Sequence, residues 1–387
     1  MLHQRLYAAS QPQSLPDAYF TSAEHAWPRD YFAEAKAVSL RWHPFSYWLG
    51  AKFTGRYINV DANGLRRTWH GGATGVSSSR PLRIFLFGGS AMWGYGAPDD
   101  DTIASALTRA LAQAGVGARI TNFGQFGYVS TQDTILFFEQ LRGGQIPDIA
   151  IFYDGFNDTA SAFQNGVAGI SENEANRARE FNALNGEIPA KRRALYNYAL
   201  GMFVGNLAIV RIARSALRRL CSACLGPRNW QTADWINFSE HPAQRTQTLS
   251  TAVVNAYLAN IRLIEQAGRH LGCRTIFYWQ PALYGRKHPS AFERKQMRDY
   301  VPGEEQFFLA TWSAARQAAN DPALPAGQRP VYLQDVLPQD MPCFIDTAHI
   351  SGACNEVVGR RIAADVTHLI ALAHLSSPAA PFASKPR

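Results

Sequence analysis

At 387 residues and 47% hydrophobic, the chain can bury a full core, and its net charge of +8 is moderate for a globular protein. The basic excess is local, because no acid occurs between Glu187 and Asp234 while eight Lys or Arg do. Such a stretch suits an anionic substrate or a membrane surface, but no nucleic-acid-binding motif accompanies it, so nucleic acid ranks last among partners.

Residues 1–80 are rich in aromatics, with Trp27, Tyr31, Trp42, Phe45, Tyr47 and Trp48, yet lack a long helical period. They read as an ordered extension wrapped on a domain, closed by the linker "HGGATGVSSSRP". The first twenty residues hold no apolar core of signal-peptide length, and no run reaches the roughly 18–20 apolar residues of a membrane span. The expectation is a soluble chain, with cytoplasm and cell envelope both open.

From Pro81 the pattern changes. Strand-like runs at 83–87, 118–123, 148–153, 273–279 and 330–334 alternate with helix-like stretches at 101–114, 130–142, 246–271, 304–319 and 352–374. This is the rhythm of a parallel sheet covered on both faces, an α/β/α domain over 81–375. The interruption at about 159–245 is too long for an ordinary connection and is expected to form a helical cap. Within it, 194–220 places Arg211, Arg214 and Arg218 on one face of an amphipathic helix, which fits a packed cap helix better than a peripheral membrane contact. The tail 376–387 is polar and expected to be flexible.

Five cysteines are an odd number and too few for a disulfide scaffold. Cys221-x-x-Cys224 lacks the second pair that zinc needs. Cys343 and Cys354 bracket a candidate catalytic loop and would be bridged in an oxidising compartment.

Ligands of open parallel sheets gather at the carboxyl ends of the strands. After the first strand comes Gly88-Gly89-Ser90, after the second a segment ending in Gly127, after the third Asp154-Gly155-Phe156-Asn157-Asp158, and beyond the fifth Asp346-Thr347-Ala348-His349. A serine hydroxyl needs a base within hydrogen-bond reach, and His349 supplies an imidazole. Asp346 can hold that imidazole's tautomer. Gly127 and Asn157 are of the types that donate to an oxyanion, and the Ser90 N–H would complete the set. Alone, Ser90 could equally cap a helix, and Gly124 and Gly127 could both be turn glycines. Asp154 and Asp158 read as groups that order their loop by bonding backbone amides. The opening glycines fit neither G-x-G-x-x-G nor a Walker loop, which argues against nucleotide binding.

The four segments "FGGSAMWG", "NFGQFGYVS", "YDGFND" and "DTAHIS" resemble the blocks of SGNH (GDSL-type) hydrolases. That resemblance implies a flavodoxin-like five-stranded sheet and a serine esterase with no metal or organic cofactor. It implies Ser90 as nucleophile, Asp346 and His349 as the rest of the triad, and Ser90, Gly127 and Asn157 as the oxyanion hole. Gly89 stands where the family usually has aspartate, which sets the chain apart from the lipase-like subgroup. The expected substrate is a small-molecule or glycan ester with a short acyl group, acetyl above all. Trp93, Tyr95, Trp279, Tyr284 and His288 are the candidate pocket residues. The same triad could instead pass an acetyl group to a polysaccharide hydroxyl, and a non-catalytic glycan-binding module on the same fold is the remaining alternative.

Overall fold

The computed structural model describes residues 28–69, 80–174, 177–178, 181, 242–298 and 303–376. The helix expected at 194–220, the Cys221-x-x-Cys224 pair, the body of the expected cap, the linker 70–79 and the tail from 377 lie outside the described residues.

The extension contains more regular structure than its sequence pattern suggests. Helix α1 (Pro28–Ala37) carries Asp30 in its first turn and Lys36 in its last, matching the helix dipole at both ends. At ten residues it is too short to display a long apolar period, and it is anchored by Tyr31, which is completely buried. Two antiparallel pairs follow, β1 (Leu40–His43) with β2 (Tyr47–Gly50) and β3 (Phe53–Thr54) with β4 (Asn59–Val60).

The main sheet has five parallel strands. These are β5 (Leu82–Gly88), β6 (Ala118–Asn122), β7 (Ile149–Asp154), β8 (Arg274–Trp279) and β9 (Val331–Tyr332), in the order β6-β5-β7-β8-β9. This is the flavodoxin-like order, with the chain reversing direction across the sheet at β5 and β7, where ligands collect.

Side chains on β5 alternate between two cores, as a period of two requires. Ile84 and Leu86 join Ile149 and Ile151 beneath α3 (Ile103–Gln113) and α9 (Gly352–Ser376). Phe85 and Phe87 face the other way and stack with Phe123, Phe137 and Phe152. That layer is closed by α4 (Ser130–Arg142), α6 (Pro242–His270) and α8 (Glu304–Ala319). Between α9 and α3 the backbones approach so closely that a Cβ at Gly359 would stand 2.6 Å from that of Ala106. Helix α5 (Phe156–Asn165) occupies the first part of the expected cap region and buries Ala162 and Phe163 in the aromatic layer, so this stretch is part of the domain's own core.

A third cluster joins extension to domain. Tyr31, Val38, Ile58 and Val60 pack against Trp93, Tyr95, Phe126 and Ile345. Arg66, 2% exposed, sits in this seam. It bonds Asp99 at 2.9 Å, donates to the carbonyls of Trp93, Gly94 and Ala97, and lies 4.2 Å over the Trp93 ring. A buried guanidinium is tolerated only when charge and donors are all met, and here they are.

Candidate active site

Strand β5 runs out at Gly88, and Ser90 begins the single turn α2 (Ser90–Trp93) at the carboxyl edge of the sheet. The Ser90 Oγ is 2.7 Å from His349 Nε2, although 259 residues separate them. His349 Nδ1 is 2.7 Å from Asp346 Oδ2. The other Asp346 oxygen accepts from the backbone N–H groups of Ala348, at 2.8 Å, and His349, at 2.7 Å. These bonds fold the loop back so that a three-residue spacing brings carboxylate and imidazole side by side. Burial by itself would raise the Asp346 carboxyl, but the facing imidazole and the hydrogen bonds outweigh it and hold the group below the usual carboxylate range.

The loop carrying these residues is tied down on several sides. Ile345 donates its N–H to the His349 carbonyl at 2.9 Å, and Leu283 donates to the Thr347 carbonyl at 3.0 Å. A disulfide joins Cys343 to Cys354 across the loop's base, while Cys273 is a free, buried thiol. Glu293, from α7 (Ala291–Arg298), accepts from the N–H groups of Cys343 and Phe344, both at 3.0 Å, and pairs with the buried Arg286.

Asn157 opens α5 behind Gly155, whose φ of +115° and whose contact with the Trp279 indole both exclude a side chain. The Asn157 amide donates to the Tyr128 carbonyl at 2.8 Å and lies against the backbone of Gly89. An amide nitrogen has two protons, so one is not used by that bond. Gly127 adjoins Tyr128 in the left-handed region, φ +66°. Its loop is fastened to β5 by Gln125, whose N–H donates to the Gly88 carbonyl at 2.9 Å.

Behind these groups lie three buried carboxylates. Asp158 accepts from Ser130 Oγ at 2.6 Å and from the N–H groups of Ser130, at 3.1 Å, and Gly155, at 3.2 Å, as a loop-ordering residue would. Asp154 bonds no backbone amide and departs from that expectation; its charged neighbours are Asp133 and Asp158. Burial, and then the charges of Asp133 and Asp158, push Asp154 well above the carboxylate range. Burial pushes the Asp133 carboxyl up as well, so the two neighbouring buried carboxyls do not both ionise. Asp133 accepts the Gly88 N–H at 3.1 Å. Sequence reasoning missed Asp133; the available signal was an acid in the first turn of α4, at a position that faces the sheet.

The five candidate pocket residues separate. Tyr95 lies on the His349 ring, with centroids 4.7 Å apart, and its hydroxyl is pushed up by burial and then by the Asp346 charge. Trp93 is completely buried between Arg66 and Phe126, and Trp279 is completely buried against Tyr257 and Trp312. Tyr284 stacks on Phe308 at 4.4 Å in the aromatic core. His288 is exposed on the loop before α7. Position at a strand end brought Trp279 forward as a pocket residue, but its side chain turns into the helix layer. Among the described residues no cluster of His, Cys, Asp or Glu is arranged to hold a metal ion, and no helix is long and apolar enough to cross a membrane.

No family model matches this chain, and no curated protein matches it. Several solved structures do. A carbohydrate acetylesterase from Sinorhizobium meliloti is 11% identical, over 74% of this chain and 99% of that one, with a TM-score of 0.38. An acetylxylan esterase from Geobacillus stearothermophilus is 11% identical, over 75% of this chain and 95% of that one, with a TM-score of 0.35. A family 3 carbohydrate esterase from Clostridium thermocellum is 13% identical, over 76% of this chain and all of that one, with a TM-score of 0.34.

Proposed function

We propose that the chain is a serine esterase of the SGNH type, acting on short-acyl esters of a carbohydrate or small molecule. The observation that carries this reading is the continuous relay from Ser90 through His349 to Asp346, with both contacts at 2.7 Å. His349 Nε2 takes the hydroxyl proton as Ser90 Oγ bonds to the ester carbon, and the carbonyl electron pair moves onto oxygen. That oxyanion is held by the N–H groups of Ser90 and Gly127 and by the free amide proton of Asn157. Collapse expels the alcohol, which takes the proton from His349. Water then repeats the attack on the acyl-enzyme and releases the acid. Asp346, held ionised, keeps Nδ1 protonated and stabilises the imidazolium.

A short acyl group is favoured because Trp93, Trp279 and Tyr284, the aromatics available for an apolar groove, are packed into the core. Hydrolysis of p-nitrophenyl acetate, butyrate and longer esters tests both parts. Activity is expected to fall with chain length and to vanish in Ser90→Ala. Full activity in Ser90→Ala would overturn the esterase reading, and a preference for long chains would overturn the acyl assignment.

A further inference from the structure

A second recess lies away from the triad, between the extension and the edge strand β6. It encloses about 1100 Å³, and neither Ser90, Asp346 nor His349 lines it. Five cations besides Arg66 reach it: Arg41, Lys52 and Arg67 from the extension, Arg83 from β5 and Arg119 from β6. Its two acids are already engaged. Asp61 accepts from the N–H groups of Asn63 and Leu65 in its own turn, and Glu139 faces His43 at 3.7 Å. Arg66, which also borders the recess, is neutralised by Asp99. Lys52, Arg67 and Arg119 have no carboxylate partner among the described residues.

A recess walled by protein and lined by one sign of charge concentrates the opposite sign. The volume exceeds what a single small anion fills and reaches the upper end of small-ligand sites. The remaining polar lining is of hydroxyls and amides, such as Thr54, Asn63, Thr121 and Gln140, which suit sugar hydroxyls. Single-stranded nucleic acids bind by stacking bases on free aromatic faces, whereas Phe85 and Phe123 in this lining are buried against each other at 4.9 Å and Phe53 packs on the seam of the extension.

We propose that this recess binds an acidic polysaccharide, with Arg67, Arg119 and Lys52 meeting its carboxylate or sulfate groups. The site would hold a charged glycan independently of acyl chemistry at Ser90, and its binding can therefore be read without turnover.

The test is equilibrium binding of the full chain to polygalacturonate, dextran sulfate and uncharged dextran. The two charged polymers separate carboxylate from sulfate preference, and uncharged dextran is expected not to bind. Raising salt from about 0.05 M to about 0.5 M should weaken binding by tenfold or more, since exposed charges are screened over that range. The variant Arg67→Glu/Arg119→Glu, and separately Lys52→Glu, should each lose about tenfold in affinity, roughly 1.4 kcal/mol, while keeping p-nitrophenyl acetate hydrolysis and an unchanged melting curve. Binding of neither charged polymer, equal binding of uncharged dextran, affinity untouched by the charge reversals, or tighter binding of a single-stranded oligonucleotide would each overturn the proposal. Loss of hydrolysis in Ser90→Ala with glycan binding retained would separate this site from the esterase site.

Discussion

The Asn157 amide nitrogen occupies the space that a side chain on residue 89 would need: a Cβ built on Gly89 falls 2.1 Å from Asn157 Nδ2. The Gly89 backbone is in the extended region, so no strain forbids a larger residue there. Only the amide does.

Gly89→Ala is therefore expected to fold normally and to push Asn157 away from Ser90, the proposed nucleophile. Losing one oxyanion donor costs about 10²–10³ in kcat, and the Ala variant should approach Asn157→Ala with KM nearly unchanged. Steady-state kinetics on both single variants and the double variant check this. Additive losses would show that Gly89 acts by another route.

The proton on Asp154 makes stability depend on pH. Its folded-state pKa lies above the unfolded value, so its contribution is complete below the unfolded pKa and is lost as pH rises toward the folded one. Across that window unfolding free energy should decline with pH, by at most about 1.4 kcal/mol per unit for one proton. Asp154→Asn removes the titrating proton and should flatten the slope. Urea unfolding at several pH values from mildly acidic to mildly alkaline reads it, and an unchanged slope in Asp154→Asn would remove Asp154 as the source. Asp346 acts in the opposite sense, since its lowered pKa makes its contribution disappear as the solution turns acidic.

Closing the Asp346–His349 loop with the Cys343–Cys354 bond reduces the freedom of the unfolded chain. For a short loop this is worth about 2–3 kcal/mol. The Cys343→Ser/Cys354→Ser variant should melt several degrees lower. Because Glu293 still holds the Cys343 and Phe344 N–H groups, the folded variant should keep most of its activity at low temperature. Thermal melts with and without a reductant, beside assays at two temperatures, separate stability from catalysis.

Arg66→Met would leave the Asp99 carboxylate buried without its guanidinium. Removing one partner of a buried pair costs about 3–5 kcal/mol. Chemical denaturation should show a loss of that order, whereas Arg66→Met combined with Asp99→Asn should recover part of it.

The five strands were legible because each is a short β-branched or aromatic run between helical periods, and 83–87 and 273–279 fall within a residue of β5 and β8. The residues of the relay were legible because parallel topology sends strand ends to one edge, so short blocks far apart in the chain could be placed together. Contacts between elements left no periodic mark. The raised carboxyls of Asp133 and Asp154, the place of the Asn157 amide over Gly89 and the inward turn of Trp279 all depend on which neighbour a side chain meets. Helix α1 was hidden because it is only ten residues long, so its apolar face of Tyr31, Phe32 and Ala35 spans too few turns to show as a period.

The seam around Arg66 bears on what counts as a unit of this protein. Residues 81–376 contain every group of the relay, yet the turn that lays Tyr95 on His349 is fastened from outside that span. Gly96 donates its N–H to the Tyr31 hydroxyl at 2.8 Å, and the carbonyls of Trp93, Gly94 and Ala97 are met by Arg66. A fragment begun at residue 81 would keep Ser90, Asp346 and His349 but lose the scaffold under Tyr95. Residues 28–69 thus support the proposed reaction centre, and a boundary between the two would cut through it.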